Sequence, residues 1–87
     1  MKVHIPTPLR SYTQTSFIDA EGATLAEVLA NLEQRFPGFR FRIVNEQEEL
    51  REHIRIFINQ RVAQSLTESV ELSDELRIVM AISGGYC

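Results

Sequence analysis

The strongest local constraint in the sequence lies at residues 24–36. Thr24 followed by Glu27 forms a capping box directly ahead of an apolar stripe, which is how a helix begins. Leu25, Val28, Leu29, Leu32 and Phe36 recur at helical spacing on one face, Glu27, Asn31, Glu33 and Arg35 point elsewhere, and Pro37-Gly38 stop the run. A helix with one apolar side has to cover something. In a chain of 87 residues, which can build one modest core and no second domain, a single sheet is the natural surface for it to cover.

The remaining pattern supplies that sheet. Lys2-Val3-His4-Ile5 alternates, and Pro6 and Pro8 limit its length, so a first strand is expected to fray into a loop. A polar stretch, Arg10 to Gln14, leads to Ser16-Phe17-Ile18-Asp19, the expected second half of a hairpin. Phe39 to Val44 alternates and could be a strand, followed by an acidic loop from Asn45 to Glu52. Ile54 to Asn59 is a firmer strand, with Asn59-Gln60 turning into a short Arg61-Val62-Ala63 strand. Ser65 to Leu72 could form one helical turn, and Ser73-Asp74-Glu75 makes a polar turn into a final strand, Leu76 to Ile82. The order β-β-α-β-β-β, with the last strand lying centrally beside the first, is α+β: a ubiquitin-like β-grasp with a mixed sheet and one main helix on one face. Residues 1–83 form the domain and 84–87 a flexible diglycine tail.

Charge and composition narrow the function. A net charge of −3 does not suit nucleic-acid binding, which needs clustered Lys and Arg. Cys87 is the single cysteine, which excludes an internal disulfide and fits a reducing compartment, so a cytoplasmic location is expected. No apolar run has the length of a signal peptide or a membrane span. His4 and His53 stand at no metal-ligand spacing, the acidic run Glu46 to Glu52 lacks a calcium-loop pattern, and Gly84-Gly85 precede no helix that could receive a phosphate. The chain is expected to catalyse nothing alone, and to bind no metal or cofactor itself.

The tail stands apart. Two glycines directly after a strand make a thin extension with no Cβ to obstruct entry into a narrow cleft, although a lone Gly-Gly at a terminus can equally be incidental. The open sheet face offers a second feature. If Ile54, Ile56 and Ile58 face the helix, then Arg55 and Phe57 face out beside Arg77 and Val79, and an exposed Phe57-Val79 pair would suit protein docking.

Taken in order, Ala23-Thr24-Leu25-Ala26-Glu27-Val28-Leu29, Ile56-Phe57-Ile58-Asn59, Leu72-Ser73-Asp74-Glu75-Leu76-Arg77-Ile78 and Ser83-Gly84-Gly85 resemble the ThiS/MoaD family of ubiquitin-like sulfur carriers over nearly the whole chain. Ser73 stands where family members commonly have glycine, Met80-Ala81-Ile82 lacks the proline many have, and Tyr86-Cys87 follow the diglycine at which the family's working form ends. The resemblance implies that a ubiquitin-activating-type enzyme uses ATP to adenylate the Gly85 carboxylate, and that a sulfurtransferase or sulfide source converts it to a thiocarboxylate. A biosynthetic enzyme then accepts the sulfur. It also implies a proform from which a zinc-dependent JAMM-type protease removes Tyr86 and Cys87. Sulfur chemistry on Cys87 itself, and a dipeptide without a role, are the alternatives. Beside the carrier stand two other readings: a ubiquitin-like modifier joined through Gly85 to lysine, and a binding module that shares only the fold.

Overall fold

The computed structural model describes residues 1–80. The expected tail, Gly84 to Cys87, and the end of the last strand therefore lie outside the described residues. In chain order the elements are β1 (Lys2–His4), a 3-10 turn (Thr7–Leu9), α1 (Arg10–Thr13), β2 (Phe17–Asp19), α2 (Leu25–Arg35), a second 3-10 turn (Arg40–Arg42), β3 (Ile54–Ile58), β4 (Arg61–Val62) and β5 (Glu75–Met80).

The capping box sets the start of α2. The Thr24 hydroxyl accepts from Glu27 N at 3.3 Å, and the Glu27 carboxylate reaches back to Ala23 N at 2.9 Å. Two further donors of the first turn, Leu25 N and Ala26 N, bond to the carbonyls of Glu68 and Leu66. Those carbonyls belong to the segment read as a possible helical turn at 65–72. Facing α2 instead of their own chain, they leave it a non-helical connection that buries Leu66 and Val70.

The five strands form one mixed sheet in the order β2-β1-β5-β3-β4, with β5 central, parallel to β1 and antiparallel to β3. This is the ubiquitin-like β-grasp architecture expected from the sequence. Leu25, Val28, Leu29 and Leu32 of α2 share one buried cluster with Val3, Ile54, Ile56, Ile58, Leu76 and Ile78 of the sheet. Alternation along the strands thus falls as expected: isoleucines inward on β3, and Arg55 and Phe57 outward.

Two further segments depart from expectation. Residues 10–14, read as merely polar, hold α1, which buries Thr13 and follows directly on the turn that buries Leu9. Residues 39–44, read as a possible strand, coil into the second 3-10 turn. The Glu33 carboxylate accepts from Gly38 N and Arg40 N, both at 2.9 Å, which folds the chain back on the end of α2 before it can extend. Those two bonds hold the Glu33 carboxyl below its ordinary range. Phe39, Ile43 and Val44 are then buried together, while Phe41 points outward. Among the described residues no helix is long and apolar enough to cross a membrane.

Gly22 shows how tightly the chain enters α2. A Cβ built there would lie 2.7 Å from Val28 N and 2.9 Å from Val28 Cγ2. Gly22→Ala is therefore expected to cost about 1–3 kcal/mol through overpacking, read as a lower midpoint in urea unfolding; an unchanged midpoint would show that this entry has slack.

Candidate functional site

The outward face of the sheet is assembled from five short strands, and their register fixes which side chains meet. Phe17 lies opposite His4, His4 opposite Arg77, Arg77 opposite Phe57, and Phe57 opposite Val62, giving one row across all five strands. Arg55 lies opposite Val79 in a neighbouring row. The four residues expected to form a docking surface, Arg55, Phe57, Arg77 and Val79, are thus brought together on β3 and β5.

Their exposure differs from expectation in one respect. Val79 is exposed at 39%, but Phe57 is partly buried. The reason is its place in the row: Arg77 and Val62 stand on either side of it across the ladder, so the ring has cross-strand neighbours on both flanks. The more exposed aromatic groups are Phe17, at 45%, with the Lys2 ammonium 4.6 Å from its ring centre, and Phe41, at 59%.

The polar groups of this face are also organised. His4 Nε2 pairs with the Glu75 carboxylate, and that hydrogen bond is the main cause holding the Glu75 carboxyl below its ordinary range. At the base of β5, Asn59 adopts a φ of 59° in the turn between β3 and β4, a conformation asparagine tolerates better than most residues. Its side chain accepts from Glu75 N at 3.0 Å and donates to Asp74 Oδ1 at 3.1 Å, tying that turn to the start of β5. Among the described residues no group of three or more His, Cys, Asp or Glu could hold a metal ion.

Sequence reasoning overlooked the surroundings of Met80, the last described residue of β5. Phe41, Arg42, Arg51, His53 and Met80 line a hollow of about 300 Å³, although Phe41 and Arg42 come from a segment read as a possible strand and Arg51 from one read as a solvated loop. Only the 3-10 turn, invisible to periodicity, brings Phe41 and Arg42 to that end of the sheet. The Phe41 and Arg42 side chains carry no strong sequence signal beyond their basic and aromatic character.

A sequence model of the ThiS family matches residues 3–85, nearly the full length of the chain and ending at the second glycine. The chain belongs to the ThiS family. It is ThiS/MoaD-like, as the sequence resemblance implied, and that membership supports a sulfur-carrier or ubiquitin-like role. Among solved structures, a chain of the Amycolatopsis orientalis BexX/CysO complex is 34% identical, with a TM-score of 0.89 over 97% of this chain and 98% of that one. Mycobacterium tuberculosis CysO, described as an antigen, is 26% identical with a TM-score of 0.87 over 93% and 98% of the two chains. SAMP1 from Haloferax volcanii is 27% identical with a TM-score of 0.78 over 98% of each chain. No curated protein matches the sequence.

The face assignment yields a paired test. Ile56→Ala, which empties a core position, is expected to destabilise by about 2–5 kcal/mol. Phe57→Ala is expected to cost about 1 kcal/mol, because only part of its surface leaves water. Urea unfolding of the two variants checks this, and a larger loss from Phe57→Ala than from Ile56→Ala would contradict the assignment.

Proposed function

We propose that this ThiS-family protein is a sulfur carrier whose reactive group is the Gly85 carboxylate. The observation that carries the reading is the family match running through Gly84 and ending at Gly85. The topology agrees with it. The chain reaches that end from β5, the central strand of the sheet, which pairs with β1 along Glu75–Arg77 and with β3 as far as Met80. Gly85 lies five positions beyond Met80 in sequence, enough to span at most about 17 Å in a fully extended chain.

A carboxylate is a poor electrophile. In the proposed cycle a ubiquitin-activating-type enzyme transfers AMP from ATP to the Gly85 carboxylate, releasing pyrophosphate. Sulfide, free or released from a sulfurtransferase persulfide by a thiol that is oxidised to a disulfide, then attacks the acyl carbon and expels AMP. The product is a thiocarboxylate, a better nucleophile than water at neutral pH, which passes its sulfur to a biosynthetic enzyme making an amino acid, cofactor or specialised metabolite. The carrier acts as a protein co-substrate rather than an enzyme. ATP and the sulfur donor belong to its partners.

Because Tyr86 follows Gly85, the carboxylate first has to be released by hydrolysis of the Gly85–Tyr86 bond, which we assign to a JAMM-type metalloprotease. The outward residues Arg55, Phe57, Arg77 and Val79 would dock the adenylating enzyme while Gly84 threads its cleft. The reducing cytoplasm is the compartment in which such a thioacid would persist. A second reading, a ubiquitin-like modifier using the same activated glycine, is favoured by one observation: the similarity to small archaeal modifier protein 1 from Haloferax volcanii and from Methanosarcina acetivorans, both at 27% identity.

Gly85→Ala is expected to abolish ATP-dependent formation of the acyl-adenylate and thiocarboxylate while leaving the melting temperature unchanged, since the change removes no side chain and adds a single methyl group. Thiocarboxylate formation by the Gly85→Ala protein at the unsubstituted rate would sink the tail chemistry.

A further inference from the structure

We propose that the C-terminal end of β5 is a cationic collar that docks an acidic protein surface. Register creates the geometry. β1 ends at His4, opposite Arg77, while β5 continues to Met80, so Ile78, Val79 and Met80 have no β1 residue beside them. The chain turns away after Ile5 and leaves a hollow of about 560 Å³, whose lining includes His4, Arg10, Arg77, Val79 and Met80. On the opposite side of β5, Met80 pairs with Ile54, the first residue of β3, and the preceding residues Arg51 and His53 close the second hollow with Phe41 and Arg42.

The charge distribution around these hollows runs against that of the protein. The chain carries 12 acidic and 9 basic residues, yet no Asp or Glu lines either hollow, whereas four arginines and both histidines do. Two carboxylates border the hollows without lining them: Glu75, which pairs with His4 and also feels the Arg77 charge, and Glu52, between Arg51 and His53 in sequence, so the unpaired positive charge of the linings rests on the arginines.

Part of the collar is held in place. Arg51 Nε donates to the Phe41 carbonyl at 2.8 Å, with its guanidinium 4.6 Å from the Phe41 ring centre, and Arg10 Nε donates to the Ile5 carbonyl at 3.1 Å. Arg42 and Arg77 make no side-chain hydrogen bond among the described residues and are placed to reach a partner.

Two features select an acidic protein surface over a small anion. The cations lie on both sides of one strand, so a single phosphate can meet only one group of them. Exposed Phe41 and Val79 add apolar area of the kind that protein interfaces cover. The inference rests on the carrier reading only for the partner's identity: the enzyme that receives the tail would present carboxylates around the mouth of its cleft. Such an arrangement steers approach and sets orientation around Met80, the last described residue of β5.

The test is a titration of the full-length, isotopically labelled chain with a hexaglutamate peptide, followed by amide chemical shifts. Shifts are expected to concentrate at residues 4–10, 41–42, 51–53 and 77–80, and binding is expected to fade as ionic strength rises from about 0.01 M to about 1 M. Arg42→Glu/Arg77→Glu, which breaks no side-chain hydrogen bond among the described residues, should weaken binding about tenfold. The charge-matched Lys2→Glu/Arg35→Glu control should stay within about twofold. Equal losses in the two variants, shifts centred elsewhere, or an equivalent response to inorganic phosphate alone would overturn the collar. The titration involves neither ATP nor Gly85, so its failure is separable from failure of the tail chemistry.

Discussion

Everything in this fold depends on the burial of β5 between β1 and β3. Leu76 and Ile78 point from it into the cluster covered by Leu25, Val28, Leu29 and Leu32 of α2, and its backbone is hydrogen-bonded on both sides. A strand in that position is the hardest part of a small sheet to move, because displacing it breaks two ladders and opens the core at once. The main-chain bonds from the loop at 66–70 to the N-terminus of α2 then lock the connection that delivers the chain into β5.

That placement gives the two ends of β5 different surroundings. Asn59 fixes the start of β5 through Asp74 and Glu75, while the other end of the strand, at Met80, lies between two hollows rich in arginine. The same strand therefore combines a rigid anchor, an outward row containing Arg77 beside Phe57, and a cationic exit. The overall acidity of the chain conceals this, because the carboxylates are concentrated elsewhere: Glu33 caps a turn, Glu48 pairs with Arg40, and Glu68 pairs with Arg61.

The sequence made the framework legible wherever a local rule and the global packing agreed. Thr24 and Glu27 mark the helix because the capping box is a short-range chemical event, and Ile54, Ile56 and Ile58 mark a strand face because the pleat has a period of two. Legibility failed where a distant group decided the local conformation. Phe39 to Val44 alternates like a strand, yet the Glu33 carboxylate, on the preceding helix, captures Gly38 N and Arg40 N and coils it. The segment at 65–72 forms no helix for the same kind of reason, the carbonyls of Leu66 and Glu68 being taken by α2. At the site, the outward position of Arg55, Phe57, Arg77 and Val79 followed from alternation, but the shielding of Phe57 required knowledge of both its neighbours. The cluster around Met80 required the unexpected turn itself.

The central claim, that Gly85 is released and then carries sulfur, is tested most directly by the intact mass of the protein isolated from its native host. The account predicts a chain ending at Gly85 in which one oxygen of the terminal carboxylate is replaced by sulfur. A chain still carrying Tyr86-Cys87, and unchanged after incubation with host extract and ATP, would contradict it.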